Sequence, residues 1–255
     1  MQLRQLYKRP GKPVVTAHRG FSGQYPENTL VAFEKAVALG VDIVEFDVRE
    51  TADNELVVIH DATVDRTTDG TGLVTRHKAT ELRRLNASYW NGPHDTGQRT
   101  TEPVGRHMIP TLEETLSALS GNVGLNIQVY TDSQDALEKV VRLYTDYELN
   151  DTAFLMLRTF ADAEHVRSLR PDVAICVGEE RDNLERHLAF CVDVIQPTRT
   201  CLSDAYIHRV IETGIPANVF YANDPNDMRM LIDTGLPGIM TDVPDTLIAI
   251  RNSQR

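Results

Sequence analysis

Asp42-Ile43-Val44-Glu45-Phe46-Asp47-Val48-Arg49-Glu50-Thr51-Ala52-Asp53-Asn54-Glu55-Leu56-Val57-Val58-Ile59-His60 holds two apolar runs, 42–48 and 55–60, with about six residues, Arg49 to Asn54, between them. Both runs are rich in β-branched residues and read as strands. A parallel crossover needs about a dozen residues or more. These runs are therefore expected to pair as an antiparallel hairpin, with Asp53-Asn54 as turn residues. Elsewhere the rhythm is strand then helix. Further strands are expected at 13–17, 123–130, 153–159, 172–177, 192–197, 217–222 and 237–241. Helical patterns fall at about 28–39, 78–85, 111–119, 133–145, 161–169, 181–189, 203–213 and 225–234. Asn28, Thr111 and Ser203 supply start signals, and Gly40, Gly214 and Gly235 stop signals. Such alternation implies a mostly parallel sheet. Nine strand runs less one hairpin return leave eight, the number in a closed (β/α)8 TIM-type barrel. The polar, aperiodic stretch 86–109, within a segment of about 62–109, reads as a rim insertion in a single domain spanning 1–255.

The 255 residues suffice for one large α/β domain. A net charge of −11 argues against a nucleic-acid or anionic-membrane binder, which would show a basic stripe. It does not argue against a small anionic substrate, because a metal ion or an arginine reverses the field locally. No run approaches the length of a membrane span, and Val14 to Ala17 is too short for a signal peptide core, so the cytoplasm is the default expectation. Cys176, Cys191 and Cys201 lack CxxC spacing and read as unpaired thiols. Nothing in the sequence signals an oligomeric state.

Glu45 and Asp47 are two apart on a strand and so face the same side, with Val44, Phe46 and Val48 facing the other. Two acids pointing into a barrel are costly unless something neutralises them. A divalent cation is the simplest agent; an arginine partner or a solvated strand end is the plain structural one. His18 closes the run Val14-Val15-Thr16-Ala17 and His60 closes Leu56-Val57-Val58-Ile59. Catalytic groups in parallel barrels gather at strand C-terminal ends. A lone histidine there is more often structural, but two beside a same-face acid pair point to metal-assisted acid–base chemistry. Arg19 offers a planar fork for phosphate oxygens, and Gly20 permits close backbone approach. His77, His94, His107, His165, His187 and His208 fall in helical or loop contexts without HxxxH spacing and read as surface or structural.

Taken in order, these pieces resemble the glycerophosphodiester phosphodiesterase family of phospholipase C-like barrels. The resemblance runs through His18-Arg19-Gly20, Pro26-Glu27-Asn28-Thr29, Glu45-Phe46-Asp47, His60-Asp61 and Ile109-Pro110-Thr111-Leu112-Glu113-Glu114. It ends with Asn223-Asp224 and Gly238-Ile239-Met240-Thr241-Asp242-Val243-Pro244. It implies a barrel with its site at the strand C-termini, His18 and His60 as an acid–base pair, and Glu45 and Asp47 as ligands to Mg²⁺ or Ca²⁺. It implies Arg19 on the phosphate and a role in lipid metabolism.

The chain also departs from that pattern. Where the family shows Glu-x-Lys, with a third metal carboxylate and a phosphate-binding lysine, this chain has Gln128-Val129-Tyr130. A glutamine carbonyl still suits a hard cation, so Gln128 is the expected third ligand and Tyr130 lies where substrate binds. One negative and one positive charge disappear together. Arg158, at the end of the 153–159 run, is the candidate replacement cation. Phe220-Tyr221-Ala222-Asn223 stands where the family shows a Trp-Thr-Val-Asn-like run, which alters the wall for the substrate's alcohol group.

The expected activity is metal-dependent hydrolysis of a small phosphodiester, the nucleophile being water or a neighbouring substrate hydroxyl that yields a cyclic phosphate. The alternatives are a specialised opine-type sugar phosphodiesterase, a cyclising lyase or transferase, and a non-catalytic barrel binding a phosphorylated ligand.

Overall fold

The structure, a computed structural model, describes residues 3–9 and 12–253. Its strands are β1 (Val14–Ala17), β2 (Ile43–Glu50), β3 (Leu56–Val58), β4 (Trp90–Asn91), β5 (Gln98–Arg99), β6 (Gly124–Val129), β7 (Ala153–Leu157), β8 (Ile175–Val177) and β9 (Gly238–Thr241). The main sheet runs β8-β7-β6-β2-β1-β9, and every neighbouring pair on that path is parallel. Two irregular segments close the ring. Ile195 pairs with Ala217, Thr198 with Phe220 and Val219 with Ile239, all parallel. On the other side, the Asp193 amide donates to the Ile175 carbonyl at 2.8 Å. Eight parallel segments thus form the barrel. The expected runs 192–197 and 217–222 occupy barrel positions as isolated bridges rather than full strands. Pro197 ends the first run and Pro216 directly precedes the second, and neither has an N–H to donate to a ladder.

The hairpin is present. β3 pairs antiparallel to β2, Val48 opposite Val58 and Glu50 opposite Leu56. Its turn places Asn54 at φ 58°, a conformation asparagine tolerates.

The helices are α1 (Leu3–Leu6), α2 (Leu30–Leu39), α3 (Ala79–Leu82), α4 (Leu112–Leu119), α5 (Gln134–Asp146), α6 (Phe160–Leu169), α7 (Leu184–Phe190), α8 (Asp204–Thr213), α9 (Pro225–Asp233) and α10 (Pro244–Ser253). The sequence reading contains neither α1 nor α10. Thr111 and Glu114 form a reciprocal capping box on α4, and the Ser203 hydroxyl caps α8. At α2 the cap is Thr29 rather than Asn28, whose side chain is committed to Asp47.

Val44, Phe46 and Val48 join the apolar layer between barrel and helices, where the Phe33 and Phe46 rings lie 5.8 Å apart. Val14, Ile43, Phe154, Met156, Cys176 and Val194 form a separate apolar cluster with Leu3 and Leu6 of α1. The 62–109 segment carries α3 and the β4–β5 hairpin, and packs on Val57 and Ile59 through Val64, Val74 and Leu82. No helix among the described residues is long and apolar enough to cross a membrane.

Candidate active site

Glu45 and Asp47 are each 1% exposed on β2. One oxygen of each is fixed: Glu45 Oε2 accepts the Arg19 amide at 2.9 Å, and Asp47 Oδ2 accepts Asn28 Nδ2 at 2.8 Å. The others, Glu45 Oε1 and Asp47 Oδ1, are buried with no partner among the described residues. Burial, and then the adjacent Asp47, push the Glu45 carboxyl well above the usual carboxylate range. Buried acceptors of negative charge without donors fit a hard cation. Gln128 lies opposite Asp47 in the β2–β6 register, and its Nε2 meets the Tyr130 hydroxyl. Among the described residues no three His, Cys, Asp or Glu side chains cluster as a metal site. Amide or substrate oxygens would therefore have to complete any shell. Burial, with Asp47 and Glu45 nearby, pushes the Tyr130 phenol up to about 12.

His18 and His60 are held in matching ways. His18 Nδ1 lies 2.6 Å from Asp242 Oδ1, and His60 Nδ1 lies 2.7 Å from Asp61 Oδ1. Each contact fixes a ring orientation. Neither Nε2 has a hydrogen-bond partner among the described residues. Burial alone would raise Asp242, but His18 first, then Asn223 and the His94 amide, hold it well below the usual range. Asp61 is likewise held low against its burial by hydrogen bonds from His60 and Arg66. Arg49 donates to the His60 carbonyl at 2.6 Å and lies 4.8 Å above the Tyr130 ring.

Arg19 sits elsewhere than in open reach of a phosphate. It is 1% exposed, and its Nη1 donates to Glu27 Oε1 at 2.8 Å and lies 2.9 Å from His94 Nδ1. Its Nε is 3.3 Å from Asp47 Oδ2. Glu27 also receives both Nη atoms of Arg66 at 2.7 Å. Burial opposes ionisation of Glu27, yet Arg19 and Arg66 bring its pKa down to about 2. The arginine is thus a buried girder between the acid pair and the loops above. Gly20 serves that placement: at φ 81°, an added Cβ would stand 2.7 Å from the Ala32 carbonyl carbon of α2. The close approach it permits is to a helix.

Arg158 is also engaged differently from its expected role. It lies one residue beyond β7, is about half exposed, and pairs with Asp132 at 2.7 Å. Phe220 and Tyr221 do reach the site: the Tyr221 ring stacks on His18 at 5.4 Å and the Phe220 ring meets it edge-on at 5.3 Å.

The reading of His94 as surface or structural needs correction. Its ring lies 6.1 Å from that of His18 and 5.6 Å from that of His60. Burial, and then Arg19, lower its pKa to about 4, so it is neutral near pH 7 and can accept from Arg19. It arrives on the rim segment, whose sequence has no period to mark it. His187 is structural, buried with Nε2 2.9 Å from the Glu179 carbonyl. Asp242, Asp61, Glu27 and Arg66 were absent from the site expected from sequence. Asp242 carried a usable signal, since it directly follows an apolar strand.

Residues 18–246 match the model of the glycerophosphoryl diester phosphodiesterase family. The chain is 31% identical to a glycerophosphodiester phosphodiesterase of Caldanaerobacter subterraneus over 245 residues, covering 93% of this chain and 97% of that one. The crystal structure of a glycerophosphodiester phosphodiesterase from Agrobacterium tumefaciens superposes with a TM-score of 0.76 at 26% identity, covering 93% of this chain and 99% of that one. A crystal structure from Silicibacter pomeroyi, 22% identical, shares the fold with a TM-score of 0.86 over 98% of this chain and 97% of its own.

Proposed function

Since the chain belongs to the glycerophosphoryl diester phosphodiesterase family, and so to the phosphoric diester hydrolases, we propose that it cleaves a small glycerophosphodiester at His18, His60, Glu45 and Asp47, releasing a glycerol phosphate and an alcohol. The observation that carries this reading is the pair of carboxylate-anchored imidazoles, each with an unpartnered Nε2, beside two orphaned carboxylate oxygens.

Glu45 and Asp47, with the Gln128 carbonyl, are the residues that would hold Mg²⁺ or Ca²⁺. Bound there, such a cation supplies positive charge to a phosphoryl oxygen and acidifies a nearby hydroxyl. The protein's own groups do the rest. One Nε2 removes the proton of the attacking hydroxyl, from water or from the substrate's neighbouring alcohol. The other protonates the departing alkoxide. Asp242 and Asp61 stabilise whichever ring is cationic. Arg19 orders the acid pair through its amide and Nε, and Tyr221 and Phe220 wall the side of His18.

The test is phosphorus NMR of the products from a panel of glycerophosphodiesters with Mg²⁺, Ca²⁺ or Mn²⁺. We expect glycerol phosphate, directly or through a cyclic ester, and a fall in kcat of about 10²–10⁴-fold in His18→Ala and in His60→Ala. A wild-type protein that binds these diesters with every metal and releases no product would be a non-catalytic barrel instead.

A further inference from the structure

The barrel mouth contains a cation with no carboxylate partner. Arg181 follows β8 in the loop before α7. Its guanidinium carbon lies 5.3 Å from the centroid of Phe220, the ring that meets His18 edge-on. No salt bridge ties it down among the described residues, although acids surround it in sequence. Glu179 is occupied by the Phe160 amide, Glu180 by Arg186 and Asn183, and Asp182 is exposed. Other arginines after barrel strands are paired: Arg19 with Glu27, Arg158 with Asp132, Arg199 with Asp227. The Arg181 backbone is held, since its carbonyl accepts the Tyr206 hydroxyl at 3.3 Å.

We propose that Arg181, over the ring of Phe220, is the specificity residue for the alcohol half of the substrate and selects an alcohol bearing an anionic group, a carboxylate or a second phosphate. The assignment rests on the diesterase reading for the meaning of "alcohol half". The physical reason is the arrangement itself. A guanidinium held over an aromatic ring, with no carboxylate on it, keeps N–H donors for an anion. The Phe220 ring bridges it to His18, so the two ends of one small diester can engage both. Tyr130 follows strand β6, under the guanidinium of Arg49, whose Nε is taken by the His60 carbonyl, and Arg181 adds a positive charge without a carboxylate partner on the Phe220 side of the mouth.

The experiment uses two glycerophosphodiesters matched in shape, one of 3-hydroxypropanoate and one of its amide, 3-hydroxypropanamide. Binding by calorimetry and kcat/KM are measured on the wild type, Arg181→Gln and Arg181→Lys. The wild type should prefer the carboxylate by about tenfold or more, Arg181→Gln should lose that preference through a much larger fall for the carboxylate than for the amide, and Arg181→Lys should retain part of it. Equal treatment of the two ligands by the wild type, no binding of either, or an equal loss for both in Arg181→Gln, overturns the proposal. Preferential binding of the carboxylate without cleavage of either diester would sustain this assignment and sink the hydrolase reading. Cleavage of both without preference would do the reverse.

Discussion

Gln128 decides how this site differs from one built on three carboxylates. It faces Asp47 across the β2–β6 register with its amide nitrogen against Tyr130. An acid at that position would add a third negative charge beside two oxygens that already lack donors. Gln128→Glu should therefore lower the denaturant midpoint of the metal-free protein and tighten Ca²⁺ binding by about tenfold, because affinity of an oxygen site rises with its carboxylate count. Calorimetry of Ca²⁺ binding with parallel urea titrations checks both signs; unchanged affinity would remove residue 128 from the metal shell. The same reasoning explains why Arg19 is buried. It neutralises part of the acid pair from one side, and Glu27 with Arg66 keeps the arginine itself in balance.

At the scale of elements, the His18-Arg19-Gly20 turn is seated on α2. Gly20 adopts φ 81° and lies against the backbone of Ala32, so a side chain there meets both conformational strain and a helix that cannot give way. Gly20→Ala should destabilise the fold by at least about 2 kcal/mol. It should also reduce turnover, because Arg19 and His18 shift with the turn. Urea unfolding and kcat on the same preparation test this, and a change below about 0.5 kcal/mol would show that α2 moves aside. The N-terminal end of helix α2 thus also serves the site: Thr29 caps it, and Asn28, just before the cap, at φ 55°, holds Asp47.

For the whole molecule, the candidate site and the contacts that tie the chain ends together lie apart on the barrel. His18 and His60 follow the ends of β1 and β3, and Glu45 and Asp47 lie on β2, whereas Asp42 precedes β2 and joins three distant parts of the chain. It accepts Arg9 at 2.6 Å, Arg251 of α10 at 2.7 Å and the Val15 amide at 3.0 Å. Asp42→Ala leaves a nearly buried arginine unpaired and should cost about 3–5 kcal/mol, with kcat unchanged at a temperature where the protein stays folded. A loss of activity greater than the loss of folded protein would contradict that separation. By itself, the sequence determined the hairpin, the α/β rhythm, several helix caps and the shared face of Glu45 and Asp47, because each follows from a local period or a nearest-neighbour spacing. It left α1 and α10 unread, one helix being a single turn and the other having only a weak amphipathic pattern. Only the tertiary structure decided which partners the site residues have. His18 is oriented by an acid 224 positions away, and His94 enters on a loop without periodicity. Arg158 pairs with Asp132 while Arg181 stays unpaired. Charge pairing at a barrel mouth depends on how far side chains reach between loops that are distant in sequence, and no local period encodes that reach.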